Sequence, residues 1–241
     1  MLDKGSNYIY EVDLEDPNEL NSAVLYSLQL GSAEDSKLLA ASQFLLLIAK
    51  DPAFTQLRSI EQLGYIVKTA LGEHSLYLDY RIMIQSLRDP MYLEQRIIAF
   101  LYKLSAMIDA MTEEEFKAHV KTLISLNQRN YRSLRSEALD YWTFILTGTY
   151  DFERVNEELT KLKKQDLIDM FRKYIYPISP DRKKLSVHLR SKTLEEVSVR
   201  DLSLERLYYF FECKMLKIPY NDLVYLIEKY PEQNILEFIE Y

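Results

Sequence analysis

Apolar positions along the chain change period several times, and each change marks an element. Residues 7–12 and 22–30 are dense in β-prone side chains, with Ala23, Leu25 and Ser27 alternating against Val24, Tyr26 and Leu28. That period of two predicts strands, and the second reads as covered on both faces. Gly31 ends it. From Ser32 the spacing shifts to three and four residues through Leu38, Leu39, Ser42, Leu45 and Leu46, which predicts a helix to about Lys50. Pro52 suits a first helical position, having no amide hydrogen to satisfy, so a separate short helix is expected over 52–59. Gly64 breaks it. Residues 65–69 then pair with 76–84 as a β-hairpin across a turn containing Gly72.

The second half reads as mostly helical. Asp89 and Pro90 open an amphipathic helix to about Asp109, with Leu93, Ile97, Phe100, Leu101, Leu104 and Ile108 on one stripe. Thr112 and Glu115 match a capping box ahead of a helix at Phe116. Further helical runs cover 134–146, 155–162 and 166–176, the last stopped by Pro177. Residues 184–189 supply a final strand. The pattern predicts an α+β two-layer sandwich, a mixed and mainly antiparallel sheet covered by helices, over residues 1–192. A helix-rich extension follows over 193–241, with apolar stripes such as Leu207, Tyr208, Phe210 and Phe211.

Composition narrows the function. The 241 residues are 48% hydrophobic, enough to bury roughly 70% of the unfolded surface in a core. Thirty basic residues against 37 acidic ones leave a net charge of −7, and basic residues do not interleave with aromatics, so nucleic acid is not an expected partner. The longest apolar run, 44–49, is short of the roughly 20 residues that a membrane span requires, and no signal-peptide core opens the chain. With the single Cys213, a soluble cytoplasmic protein is expected.

Recognisable catalytic motifs are few. The glycines are scattered, and neither a phosphate-binding loop nor a Gly-x-Ser-x-Gly nucleophile turn occurs. His74, His119 and His188 fall in three different predicted elements, so none has a second imidazole at metal-binding spacing. Glu113, Glu114 and Glu115 are accounted for by the dipole of the helix they open. Cys213 reads as a small apolar side chain. What stands out is Leu57-Arg58-Ser59-Ile60-Glu61-Gln62-Leu63-Gly64-Tyr65, which hands a helix carrying a cation to a strand opening with a phenol. A guanidinium offers a fixed fork of donors to peptide carbonyls. A phenol can donate to an oxygen that gains charge when a carbonyl is attacked.

This stretch resembles the Leu-Arg-x-x-Glu-Gln-Leu-Gly-Tyr hallmark of the last domain of the insulin-degrading enzyme (insulysin, pitrilysin) family of zinc metallopeptidases. The likeness continues through Ile84-Gln85-Ser86, Tyr92-Leu93-Glu94, Met111-Thr112-Glu113-Glu114, Tyr141-Trp142 and Ser186-Val187-His188, and covers most of residues 7–191. The resemblance implies a domain that contributes chamber wall and substrate-binding groups, Arg58 and Tyr65, to hydrolysis of short polypeptides. The inverted His-x-x-Glu-His motif is missing, so zinc is expected in a separate, zinc-bearing N-terminal half, and the chain alone is expected to be inactive. Expected partners are that half, a peptide substrate and, as the resemblance allows, a second copy. The competing reading is an inactive homologue that binds peptides or serves as an assembly subunit.

Overall fold

The computed structural model describes residues 1–128, 133–147 and 154–192. The expected extension over 193–241, including Cys213, lies outside them. Five strands form one sheet in the order β1-β5-β2-β4-β3: β1 (Asn7–Asp13), β2 (Ser22–Gly31), β3 (Ile66–Glu73), β4 (Leu78–Ser86) and β5 (Lys184–Arg190). All pairings are antiparallel except β1 with β5. The helices are α1 (Ser36–Ala53), α2 (Pro90–Ala110), α3 (Glu113–Asn127), α4 (Leu134–Thr147), α5 (Arg154–Lys161) and α6 (Lys164–Tyr174). The mixed sheet with its helices is the α+β architecture read from the sequence.

One face of the sheet forms the core. Val24, Tyr26, Leu28, Tyr80, Ile82, Ile84 and Val67 lie under the helices with Leu39, Phe44, Leu45, Leu93, Ile97 and Leu101. Register places Tyr10, Val187, Leu25, Met83 and Lys68 in a row across the other face, where Tyr10 is 62% exposed and Leu25 and Val187 are half-buried. The second strand is fully buried on its inward face, and its outward residues are half-buried or buried with none exposed, so both faces are largely covered as expected. Its alternation reports that asymmetry, since the outward set is merely less buried.

Two local expectations are corrected. Pro52 does not start a helix: it sits inside α1, which runs directly into a π-helical segment, Phe54–Ile60. The buried stripe Leu45, Ala49, Ala53, Leu57 continues past the proline, so core packing carries the helix across a residue that removes one backbone hydrogen bond. The continuous helix Ser36–Ile60 spans 25 residues and contains a stretch long and apolar enough to cross a membrane by length and composition alone. Its burial against the sheet accounts for that composition here. Gly72 lies not in the hairpin turn but in β3, opposite Asp79. A Cβ at Gly72 would stand 2.0 Å from Asp79 Oδ1. The turn itself is closed by His74 N–H donating to Tyr77 O at 3.0 Å.

Candidate substrate-binding site

The site is built where the end of the long helix meets β3. Across the π-helical segment the backbone turns widen: Glu61 N–H donates to Gln56 O and Leu63 N–H to Leu57 O, both at 3.0 Å. Gln62 then takes φ = 50°, the left-handed region that a side chain seldom occupies. Gly64 follows against β4, where a Cβ would lie 1.9 Å from Gln85 O. Glycine is required there by contact, because the obstacle is backbone. Ser86 Oγ closes the junction by donating to Leu63 O. The hallmark residues and the Ile84-Gln85-Ser86 segment, apart in sequence, are thus one packed corner.

Arg58 and Tyr65, the two expected substrate-binding groups, are brought together on this corner. The Arg58 guanidinium carbon stands 4.7 Å from the Tyr65 ring centroid and 4.7 Å from that of Phe54. Tyr65 is 82% exposed and Phe54 42% exposed, and Arg58 between them is half-buried. Each such contact contributes roughly 0.5–1 kcal/mol at an exposed position. Phe54 was missed by the sequence reading; its signal was an aromatic four residues before Arg58, the spacing of neighbours on a helix.

Polar contacts from α2 hold the segment from behind. Glu61 accepts from Arg96 Nε at 2.6 Å and Nη2 at 2.9 Å, and from Gln56 Nε2 at 2.6 Å. Lys103 donates in turn to Gln56 Oε1. Arg96 and Lys103 both lie on α2, which thereby fixes the π-helical turn carrying Arg58. The bidentate guanidinium–carboxylate geometry is the more directional kind of ion pair.

Two other matched segments meet inside the protein. Glu94 of α2 is 4% exposed, and it accepts from Lys184 Nζ and approaches His188 Nε2 at 2.7 Å. Ser186 Oγ lies 3.0 Å from the same His188 nitrogen. Burial raises the Glu94 carboxyl, but the bonds to His188, Lys184 and Ser186 outweigh it and hold the group at about 2. Burial pulls the Lys184 ammonium below its ordinary value, and Glu94 only partly offsets that. Serine, histidine and glutamate here do not form a hydrolytic triad. Ser186 is fully buried, Glu94 addresses the same imidazole nitrogen as the hydroxyl, and Glu11 stands 3.6 Å from the opposite nitrogen, beyond hydrogen-bond reach.

Zinc does not fit the described residues. His74 lies by Asp79 and Arg81, His119 meets the edge of Phe44 at 6.1 Å, and His188 lies in the buried cluster. Among the described residues no three His, Cys, Asp or Glu side chains converge on a metal position.

Residues 44–142 match a family profile described as PQQ synthase PqqF-like, C-terminal lobe domain 4. Human insulin-degrading enzyme is 31% identical over 195 residues, 80% of this chain and 19% of its own length. Insulin-degrading enzyme-like 1, peroxisomal, of Arabidopsis thaliana is 32% identical over 214 residues, 85% of this chain and 22% of its own. The chain belongs to the insulin-degrading enzyme family. It spans about a fifth of the length of these relatives and resembles their C-terminal part. The fold likewise matches solved family structures. The crystal structure of pitrilysin superposes with a TM-score of 0.68 at 22% identity, over 81% of this chain and 21% of that one. A peptidase M16 inactive domain from Pseudomonas fluorescens gives 0.55 at 14% identity, over 79% and 45%.

Proposed function

We propose that this chain is the C-terminal, non-catalytic portion of an insulin-degrading-enzyme-like peptidase, supplying chamber wall and substrate-binding groups to a zinc-bearing half. The observation that carries the reading is the stacked pair of half-buried Arg58 and exposed Tyr65, set on a corner that α2 and β4 brace. Zinc belongs to the other half, where it would supply an activated water. Arg58 donates to oxygen acceptors of the peptide and fixes the segment in place. Tyr65 donates its phenolic hydrogen toward the oxygen that becomes negative during attack. The substrate class is short, flexible polypeptide, and the compartment is the cytoplasm.

Reconstitution with a zinc-bearing half of an insulin-degrading enzyme tests this. The chain alone should not cleave a fluorogenic peptide, and the mixture should. Tyr65→Phe should lower kcat by about 10- to 100-fold, in line with loss of one transition-state donor, and Arg58→Ala should raise KM. Unchanged rates in both variants would remove the assignment.

A second reading, a peptide-binding subunit without catalysis, is favoured by one feature: β3, the strand that follows the Arg58 corner, is an edge strand paired only with β4 among the described residues. Such an edge can take up an extended peptide. Tight peptide binding by the chain without any gain of activity on reconstitution would select this reading.

A further inference from the structure

Arg58 is a guanidinium with its flat surface engaged and its donors idle. It lies against the Phe54 and Tyr65 rings, yet among the described residues it makes no hydrogen bond or ion pair. Four other arginines of the domain are neutralised, Arg96 by Glu61, Arg81 by Asp79, Arg172 by Asp109 and Arg190 by Glu11, while Arg88, which lies over the single ring of Tyr92, has no such ion pair among the described residues. The acid nearest in sequence, Glu61, stands three residues on, a spacing that would suit Arg58 in an ordinary helix. Instead Arg96 takes both of its oxygens, and Gln56 takes one of them as well. Stacking constrains the plane of a guanidinium while leaving its edge, with five N–H groups, open to a planar acceptor.

We infer that this corner reads a carboxylate of the bound peptide, with the Arg58 edge as bidentate donor and Phe54 and Tyr65 as the walls that hold it. The inference rests on the reading of Arg58 and Tyr65 as peptide-binding groups and adds the chemistry they select. A neutral carbonyl accepts one N–H at full strength, whereas a carboxylate matches the fork with two charge-assisted bonds. The carboxylate comes either from the peptide's C-terminus or from an aspartate or glutamate side chain. The whole chain carries a net charge of −7, so it does not attract anions from a distance. Selection acts at contact and appears in the dissociation rate rather than in association.

The test is fluorescence anisotropy on the full 241-residue chain with one labelled peptide sequence in three forms. One has a free C-terminus and no internal acid, one an amidated C-terminus and no acid, and one an amidated C-terminus with a single aspartate. The fully neutral form should bind at least about tenfold more weakly than one of the others, as loss of a charge-assisted pair implies. Whichever form keeps its affinity identifies the source. Arg58→Ala should abolish the difference, Arg58→Lys should retain only part of it because the charge stays and the fork goes, and Phe54→Ala should narrow it. Equal binding of all three forms, with Arg58→Ala still weakening each, would overturn the carboxylate assignment and leave the peptide-binding reading intact. Binding unaffected by Arg58→Ala, or no binding of any form, would overturn both.

Discussion

Glu94 and Lys184 form an ion pair sealed between α2 and β5, with side-chain exposures of 5% and 2%. Such a pair stabilises little relative to apolar packing, but breaking it leaves a charge stranded in the core. Glu94→Gln should therefore cost about 3–5 kcal/mol in urea denaturation, and Glu94→Gln combined with Lys184→Met should recover most of that loss. The pH dependence has a definite sign. The folded carboxyl lies at about 2 against an ordinary 4.5, so its contribution is full above 4.5 and fades as pH falls from there toward 2. The variant should lose that part of the slope, and an unchanged acid-denaturation curve would count against the pairing. At the corner, Gly64→Ala meets backbone rather than a yielding side chain. It should destabilise by about 2–3 kcal/mol and displace Arg58 relative to Tyr65, seen as a drop in peptide affinity larger than the loss of folded fraction explains.

Elements carry these residues, and α2 carries the most, since Glu94 of the buried pair and Arg96 of the corner both stand on it. Its first turn is fixed by Asp89, whose carboxylate accepts from Met91 N–H at 2.8 Å and Tyr92 N–H at 3.2 Å, with Pro90 in the first helical position. Asp89→Ala should cost about 1 kcal/mol, and Asp89→Asn much less, because asparagine caps as well as aspartate. Equal losses on thermal denaturation would show that the cap contributes nothing. Elements of this sort were legible in the sequence because caps and stripes are local signals: the Thr112 capping box is present, and α2 begins one residue after Asp89. The π-helical turn was not legible, since neither Pro52 nor the spacing of Ala49, Ala53 and Leu57 distinguishes a widened turn from a new helix. Arg58 and Tyr65 could be found from their motif. Phe54 and the Arg96–Glu61 and Glu94–Lys184 pairs could not, because they exist only once α2 and β5 have been placed against distant parts of the chain.

Across the whole domain, stability should be graded by where each strand sits in the sheet. β2 lies at the centre, hydrogen-bonded on both sides to β4 and β5, and its inward residues Val24, Tyr26 and Leu28 are fully buried. β1 lies at the edge. All but one of its seven residues are exposed, and among the described strands it pairs only with β5. Closing that pairing brings together the first and last strands, so it carries a large loop-closure cost and little apolar burial to offset it. What ties β1 down is polar and partly solvated: Arg190 to Glu11 at 3.2 Å, and Leu14 N–H to Arg190 O at 2.8 Å. Local opening free energies follow burial and the exposure of backbone hydrogen bonds. Native-state hydrogen exchange should thus show β2 and β4 amides opening only with global unfolding, while β1 exchanges through a smaller opening that leaves the corner of Arg58 and Tyr65 intact. Glu11→Ala should speed exchange in β1 without changing that in β2. Protection of β1 equal to that of β2 would mean that its exposed side chains are covered by something beyond the described residues.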